Sequence, residues 1–266
     1  MHAMERLGII GFGTIGEAFA TALHRKHPAL AIAAFDVKPA RLAAAAPALG
    51  VAVARDPASV VRESGLTLLC VKPQDIGALM ADLAPHAKGR WFVSSLAGTR
   101  IQRLAEGLGT PHVARFMPTI AAVAGRSLVG VSFAPGTDAV FRAECLAVAD
   151  AFGASLELPE RLMPAMCGLS SSGLAYVFAF ADAMALGGVA AGFDYPTALR
   201  VAVETLESAA AMLKSTGANP RELVSRVASP AGTTIQGLRA LERGGFAAAV
   251  MEAVEAGARR AQEFEG

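Results

Sequence analysis

The chain has 266 residues, enough for one large or two moderate domains with a substantial core. Its 24 basic and 23 acidic residues give a formal net charge of +1, and only 18% of the residues are charged. This balance excludes the basic surface that nucleic acid or an anionic membrane requires, so we expect neither as a partner.

The cysteines and histidines bear on compartment and metal binding. Cys70, Cys145 and Cys167 are few, scattered and set in apolar surroundings, which indicates buried thiols in a reducing, cytoplasmic compartment. We expect no signal peptide, because residues 1–11 lack its uninterrupted apolar core. No histidine and cysteine cluster has ligand spacing, so we expect no metal.

Short apolar runs alternate with helix-length segments over residues 1–158. This alternation predicts βαβ units, a mostly parallel sheet and a first domain over residues 1–158. The predicted strands are Leu7–Gly11, Leu30–Phe35, Gly50–Val53, Leu66–Val71, Arg90–Ser95, His112–Phe116 and Leu128–Phe133.

Residues 159–266 show no further strand pattern and are rich in alanine, which predicts an all-α second domain. Pro196 and Pro220 stand where first-turn prolines are tolerated, and Gly192 and Gly217 where helices stop. The predicted helices are Pro164–Ala191, Pro196–Ser215, Pro220–Val227, Ala231–Glu242 and Phe246–Phe264.

The predicted helix Pro164–Ala191 is apolar nearly all round, so something must cover it. A bilayer is disfavoured by Asp182, by three consecutive serines from Ser170 and by the absence of flanking basic residues. An intrachain core is one alternative. We favour burial against a second copy of the chain, because a domain of about a hundred residues would struggle to bury this helix alone.

A glycine-rich turn follows the first predicted strand. Gly11, Phe12, Gly13, Thr14, Ile15 and Gly16 spell G-x-G-x-x-G between that strand and an amphipathic helix. The glycines would permit a tight turn, a close approach of pyrophosphate and packing of helix on strand. The motif therefore predicts a Rossmann-type dinucleotide-binding domain.

Charged residues after two other strands bear on the dinucleotide. Asp36 stands where an acid accepts from the adenosine ribose hydroxyls, which would disfavour a 2′-phosphate. Lys38 and Arg41 follow at once and could instead hold that phosphate, so both NAD and NADP stay open. Lys72, between Val71 and Pro73, would face the cofactor at the end of the fourth strand.

The second domain contains no histidine, and its only lysine is Lys214, so the usual proton donors of hydride-transfer enzymes are absent from it. Hydroxyl groups remain at the start of a late helix. Ser229 is the expected N-cap, with Pro230 at the first helical position and free N–H groups from Gly232 onward. An anionic carboxylate could bind there, although an ordinary well-capped helix has the same pattern.

Taken as a set, these residues resemble the pyrroline-5-carboxylate reductase family, whose members reduce a cyclic imine acid to proline with NADPH or NADH. The similarity runs almost end to end, and the Ser229–Thr234 loop, S-P-A-G-T-T, is its most specific part. The other matching segments are the Gly11–Gly16 turn, Val71–Pro73, Ala97 and Gly98, Arg115–Pro118, Gly168–Tyr176 and Leu241–Ala248.

The resemblance implies roles for individual residues. Ser229, Gly232, Thr233 and Thr234 would hold the substrate carboxylate, with the Thr234 hydroxyl at the imine nitrogen as the catalytic group and Val227 lining the ring. It also implies a homodimer through the C-terminal helices, assembled in some members into rings of dimers. The implied dinucleotide contacts are Ile10, Gly11, Phe12, Gly13, Thr14, Ile15, Gly16, Asp36, Lys38, Asp56, Cys70, Val71, Lys72, Pro73, Ser95, Leu96, Ala97 and Met117.

The chain departs from the family motifs around this framework. Thr119 and Ile120 replace an Asn and a Thr, Leu174 replaces a Pro, and Arg226 replaces an Asn. Val224 and Ser225 replace a Lys-Asp pair. The hypotheses are therefore reduction of 1-pyrroline-5-carboxylate, reduction of another imine acid, or dinucleotide binding without turnover by a sensor or scaffold.

Overall fold

The computed structural model describes residues 6–265, which form one eight-stranded sheet and twelve α-helices. The spatial strand order is β3-β2-β1-β4-β5-β6-β7-β8, and all neighbours are parallel except β6 and β7. The strands are β1 Arg6–Ile10, β2 Ala31–Phe35, β3 Val51–Val53, β4 Leu66–Leu69, β5 Trp91–Ser94, β6 Val113–Met117, β7 Ser127–Phe133 and β8 Gly153–Glu157.

The order of the first six strands is that of a doubly wound dinucleotide-binding fold. This confirms the predicted α/β Rossmann-type class, and the seven predicted strands lie within two residues of β1 to β7. Strand β8 was not predicted. Its residues, Gly153–Glu157, lie at the sheet edge and are largely exposed, so the segment lacks an apolar run.

The helices of the first domain alternate with the strands, and those beyond β8 follow one another directly. Their bounds are α1 Thr14–Lys26, α2 Pro39–Leu49, α3 Pro57–Glu63, α4 Ile76–Leu83, α5 Ile101–Leu108, α6 Ala139–Ala151, α7 Met163–Met166, α8 Gly173–Ala190, α9 Tyr195–Thr216, α10 Pro220–Val227, α11 Thr233–Arg243 and α12 Phe246–Glu263.

Both faces of the sheet are buried. Ile9 of β1 belongs to the apolar cluster that includes Phe19 of α1 and Phe141 of α6. The next residue, Ile10, belongs to the opposite cluster with Val60 of α3 and Leu104 of α5. Successive side chains of a strand point to opposite faces, so helices cover both sides and leave the strand ends to bind ligands.

The described chain divides into two compact units by its internal contacts. Residues 6–171 and 256–265 form the first, and residues 172–255 form the second. The last residues of α12 therefore belong with the sheet. The predicted domain boundary at residue 158 falls directly after β8.

Within the second unit, α8 and α9 meet through small residues. Ala181 and Ala185 of α8 are buried, as are Ala198 and Ala202 of α9. A Cβ on Gly188 would lie 2.9 Å from the Cβ of Ala198, so the two helices approach closely.

The predicted apolar helix Pro164–Ala191 is interrupted. A π-helical turn, Cys167–Ser171, separates α7 from α8. Much of α8 is exposed within the chain, including Phe178 (59%) and Leu186 (55%). By length and composition alone, one helical stretch of residues 6–265, Glu160–Ala190, could cross a membrane, and 17% of its most apolar window is buried.

Candidate active site

The glycine-rich turn between β1 and α1 is closed at two glycines and open at the third. Gly11 has φ +94°, and a Cβ there would lie 2.6 Å from the carbonyl group of Cys70. A Cβ on Gly16 would clash with the Gly11 carbonyl oxygen, whereas one on Gly13 would meet no atom within 4 Å. The space beside Gly13 is where a pyrophosphate would approach the backbone.

Helix α1 begins at this open position. Gly13 is its N-cap and offers no side chain to accept a hydrogen bond from the first turn. The N–H groups of Thr14 and Ile15 thus lie at a helix N-terminus without a side-chain cap, which favours an anion. The turn therefore fits the phosphates of a dinucleotide.

Asp36 connects the end of β2 to this turn. Its Oδ2 accepts from the Phe12 N–H at 2.5 Å, and its Oδ1 accepts from the Lys38 N–H at 2.7 Å. Arg41 is held by the Glu17 carboxylate at 2.5 Å and contacts the Thr14 hydroxyl at 3.3 Å. The acid that was predicted to face the ribose is thus fixed by backbone groups. Of the two cations that follow it, Arg41 is paired with Glu17, whereas the Lys38 side chain is exposed.

The ends of β4 and β5 lie next to the turn. The Cys70 N–H donates to the Ile10 carbonyl at 2.7 Å, and the Ser95 N–H donates to the Leu69 carbonyl at 3.0 Å. Burial raises the pKa of the Cys70 thiol to about 12, although a hydrogen bond with Ser95 opposes the shift. A neutral thiol thus stands at the edge that would receive the phosphates.

The residues that flank these strand ends differ in exposure. Lys72 is exposed and precedes a short 3-10 turn, Pro73–Asp75. Leu96 is 3% exposed and packs into the core, with Val71 beside it, so its backbone rather than its side chain is offered to a ligand.

Asp56 has a local structural role. It is the N-cap of α3, and its carboxylate accepts from the Ser59 N–H at 2.6 Å in a reciprocal capping box. This hydrogen bond is the main cause that lowers the Asp56 pKa, and Arg55 and Arg62 lower it further. Its contact with a dinucleotide stays a prediction.

The end of β6 meets the π-helical turn. Met117 is buried with Met163 and Met166, and the Ser171 hydroxyl donates to the Pro118 carbonyl at 2.8 Å. The matching segments Arg115–Pro118 and Gly168–Tyr176 are thus joined. The sequence pattern gave no signal for Ser171 in particular, because Ser170 and Ser172 flank it.

The altered residue Thr119 is engaged inside the fold. Its N–H donates to the Ser127 hydroxyl at 2.9 Å, and its own hydroxyl accepts from the Ala121 N–H at 3.2 Å. Thr119 is 6% exposed. The hydroxyl that replaces the family's amide therefore serves a local turn.

The loop from Ser229 to Thr234 differs from its prediction. Ser229 is not the N-cap of α11: the cap is Gly232, which has no side-chain hydrogen bond, and α11 begins at Thr233. The Gly232 N–H donates to the Ser229 carbonyl at 3.1 Å, and Ala231 has φ +57°. Proline followed by a residue of positive φ is the pattern of a type II turn, which wins over a helical start at Pro230.

This turn leaves the helix start open. The first N–H groups of α11, from Thr233 onward, have no capping side-chain oxygen to accept from them. A Cβ on Gly232 would collide with the Ser229 hydroxyl, so this serine lies against the same turn. Thr234 is half-buried, and Val227 at the end of α10 is 65% exposed.

The structure therefore assembles the predicted residues in two groups. In the first unit, the Gly11–Gly16 turn, Asp36, Cys70–Pro73, Ser95–Ala97 and Met117 meet at the carboxyl ends of the parallel strands. In the second unit, Ser229, Gly232, Thr233 and Thr234 form one short loop.

Comparison with known proteins matches both units. A family described as pyrroline-5-carboxylate reductase dimerisation matches residues 160–264, and one described as NADP oxidoreductase coenzyme F420-dependent matches residues 6–98. The pyrroline-5-carboxylate reductase of Aquifex aeolicus is 34% identical, over 99% of this chain and 100% of its own length. That of Methanosarcina acetivorans is 37% identical, over 98% of each.

Solved structures show the same fold. The 1-pyrroline-5-carboxylate reductase of Streptococcus pyogenes has a TM-score of 0.88 and 27% identity, covering 97% of this chain and 98% of its own. The Plasmodium falciparum pyrroline carboxylate reductase with NADP bound has a TM-score of 0.89 at 20% identity, covering 98% of each chain. These full-length similarities confirm the predicted resemblance: the chain belongs to the pyrroline-5-carboxylate reductase family.

Proposed function

We propose that this chain reduces a cyclic imine acid with NADPH or NADH, and that the leading substrate is 1-pyrroline-5-carboxylate, with L-proline as product. The observation that carries the proposal is the uncapped start of α11 behind a turn with positive φ at Ala231. A helix start without its own cap is available to a carboxylate, and the loop matches the family's most specific motif.

The first unit would hold the dinucleotide along its strand ends. The open Gly13 cradle and the first turn of α1 would receive the pyrophosphate, and Asp36 would face the adenosine ribose. The bound nicotinamide supplies the hydride for the imine carbon. We assign the remaining contacts to Asp56, to Cys70–Pro73, to Ser95–Ala97 and to Met117, as the resemblance implies.

The second unit would hold the substrate. The backbone N–H groups at Thr233 and Thr234 would donate to the carboxylate, with Ser229 and Gly232 shaping the turn. Val227 would line the ring. The Thr234 hydroxyl would donate to or orient the imine nitrogen.

The reaction needs a proton on nitrogen as well as a hydride on carbon. A cyclic imine is basic enough to be partly protonated near neutral pH, so no strong acid is required from the enzyme. This explains a second domain without histidine. Positioning would account for much of the rate, because a hydride donor and an imine carbon held about 3 to 3.5 Å apart react as if they were parts of one molecule.

We also infer the assembly and the compartment. The exposed apolar side chains of α8, such as Phe178, support a homodimer through the C-terminal helices. The family resemblance implies that such dimers assemble further into a ring. The small number of cysteines, three in 266 residues, supports a cytoplasmic location. From the sequence pattern we assign the dinucleotide domain to residues 1–158 and the substrate and dimerisation domain to residues 159–266, although residues 159–171 and 256–265 belong to the first compact unit.

A second candidate keeps the chemistry and changes the substrate. The Thr119 hydroxyl accepts a hydrogen bond from the Ala121 N–H inside the fold, and Arg226 pairs with Glu222 at 2.6 Å on the exposed face of α10. Neither reproduces the amide that the family carries at its position. These observations favour a related imine acid as the alternative.

The proposal is tested by steady-state oxidation of NADH and NADPH with a panel of cyclic imine acids. We expect Thr234→Val to lower kcat/KM by about 10- to 1,000-fold while dinucleotide affinity stays unchanged. Thr234→Ser retains the hydroxyl and is the matched control. Wild-type turnover by Thr234→Val would remove this residue from the site, and dinucleotide binding without oxidation by any imine would favour the sensor or scaffold.

A further inference from the structure

Arg115 is a buried cation on an interior strand of the sheet. It lies on β6, and its side chain is 1% exposed. Its Nη1 donates to the Glu265 carboxylate at 2.8 Å and to the Glu160 carboxylate at 3.0 Å. One partner follows β8 and the other lies 150 residues away along the chain, beyond α12.

The Glu265 carboxylate is itself buried. Its side chain is 6% exposed, and Arg100, just before α5, lies 3.6 Å from its second oxygen. Removing one member of a buried ion pair leaves an uncompensated charge, which is strongly unfavourable. The ion pairs therefore hold the chain after α12 against the sheet.

The same C-terminal residues cover the loop that follows β5. Gly98 in this loop has φ +80°, and a Cβ there would meet the backbone of Phe264, with the carbonyl oxygen at 2.6 Å. Only glycine permits this approach, both by its backbone angle and by its lack of a side chain. The matching residue Gly98 thus has a packing partner that its sequence position did not reveal.

The far end of the loop is held by the other acid. Glu160 accepts from the Ile101 N–H at 2.7 Å with the same oxygen that faces Arg115. Ile101 is the first residue of α5. The loop is thus fixed at Ser95 by β4, at Gly98 by Phe264, and at its end by Glu160.

We propose that Glu265, acting through Arg115 and the Phe264 backbone, is a positioning residue for the dinucleotide-binding loop Ser95–Gly98. This inference rests on the proposed function, which places that loop against the dinucleotide. A preorganised loop binds its ligand without first losing conformational entropy, so loosening it weakens affinity more than it changes the chemical step. The two carboxylates that the buried Arg115 requires make the C-terminal segment part of the site's support.

The test compares Glu265→Gln with Glu263→Gln in the full-length protein. Glu263 is two residues away, is exposed and pairs only with Arg260 among its described ion pairs, so it is the matched control. We would measure the Kd for NADH by its fluorescence, without imine present. Steady-state kinetics and the melting temperature of the ligand-free protein would follow.

We expect Glu265→Gln to raise the NADH Kd about 5- to 30-fold, with kcat and the imine KM within twofold of wild type. Glu263→Gln should change none of these, and Glu265→Asp should recover most of the affinity. Glu160→Gln removes the other carboxylate from Arg115 but keeps an oxygen for the Ile101 N–H, so it should raise the Kd in the same way and serves if Glu265→Gln does not fold.

A lowered melting temperature with an unchanged NADH Kd in both variants would overturn the proposal, because it would show a structural role alone. Since NADH binding is measured without turnover, a failure of the wild type to reduce any imine would contradict the proposed function and not this inference.

Discussion

The carboxylate of Asp36 should make this enzyme prefer NADH to NADPH. The side chain is half-buried and fixed by the Phe12 and Lys38 N–H groups, so it stays at the end of β2. Of the two nearby cations, Arg41 is paired with Glu17 at 2.5 Å and so offers little net positive charge to a 2′-phosphate. Lys38 is exposed, so solvent screens its charge. The 2′-phosphate of NADPH would therefore face a fixed negative charge.

The size of this effect follows from Coulomb's law. A carboxylate and a phosphate dianion about 4.5 Å apart repel by about 2 kcal/mol at the dielectric constant of water. That energy corresponds to a factor of about 30 in affinity. Asp36 is half-buried, so solvent does not screen this repulsion fully, and we expect the wild-type ratio of kcat/KM to favour NADH by about this factor.

The decisive variant is Asp36→Asn, which removes the charge but keeps an oxygen that can accept from one of the two N–H groups. We expect it to shift the kcat/KM ratio toward NADPH by about 30-fold. Asp82→Asn is the control, because Asp82 is exposed on α4, which runs away from the strand ends. An Asp36→Asn enzyme with the wild-type ratio would refute the assignment of Asp36 to the ribose.

Two further predictions concern stability. Ala231→Gly should raise the free energy of unfolding, measured in urea, by about 0.5–1 kcal/mol, because Ala231 has φ +57° and an L-residue there is strained. The control Ala228→Gly changes a residue at φ −85° and should lower the free energy of unfolding instead. Equal losses in both variants would show that Ala231 is unstrained. The half-buried Cys70 thiol has a pKa that desolvation raises to about 12. Its contribution to the free energy of unfolding is therefore complete below the unfolded pKa near 9 and is lost as the pH rises toward 12. Between pH 8 and 10.5, the free energy of unfolding measured in urea should therefore decline less steeply with pH for Cys70→Ala than for wild type, by up to about 1.4 kcal/mol per pH unit. Parallel declines in the two proteins would contradict the raised pKa of Cys70.

The sequence predicts local structure well where each segment carries its own signal. The strands β1 to β7 are apolar runs bounded by turn residues. The Gly11–Gly16 turn is recognisable because its glycines have separate roles: Gly11 and Gly16 permit close backbone packing, and Gly13 leaves space for a ligand. The exposed edge strand β8 carries no such signal. Its pairing with β7 depends on the neighbouring strand and not on its own composition.

Contacts between distant segments are the part that sequence patterns do not predict. The pairing of Arg115 with Glu265 joins residues 150 positions apart, and neither belongs to a periodic motif. The predicted N-cap of α11 was wrong for a different reason, because Ser229 and Pro230 suit a helix start and also suit a type II turn. The choice between them depends on the φ of Ala231, a residue that does not usually adopt positive values.

The construction of the proposed carboxylate site explains why the family motifs have diverged unevenly. A site made of backbone N–H groups depends on the path of the chain at Gly232 and Thr233, and not on the chemistry of many side chains. Ala231 is therefore tolerated at the cost of strain, provided that the turn keeps its φ of +57°. Side chains at other motif positions, such as Thr119, take part in local hydrogen bonds that other residues can supply. Side chains at such positions can change in this way while the backbone path at Gly232 and Thr233, on which the proposed carboxylate site depends, is kept.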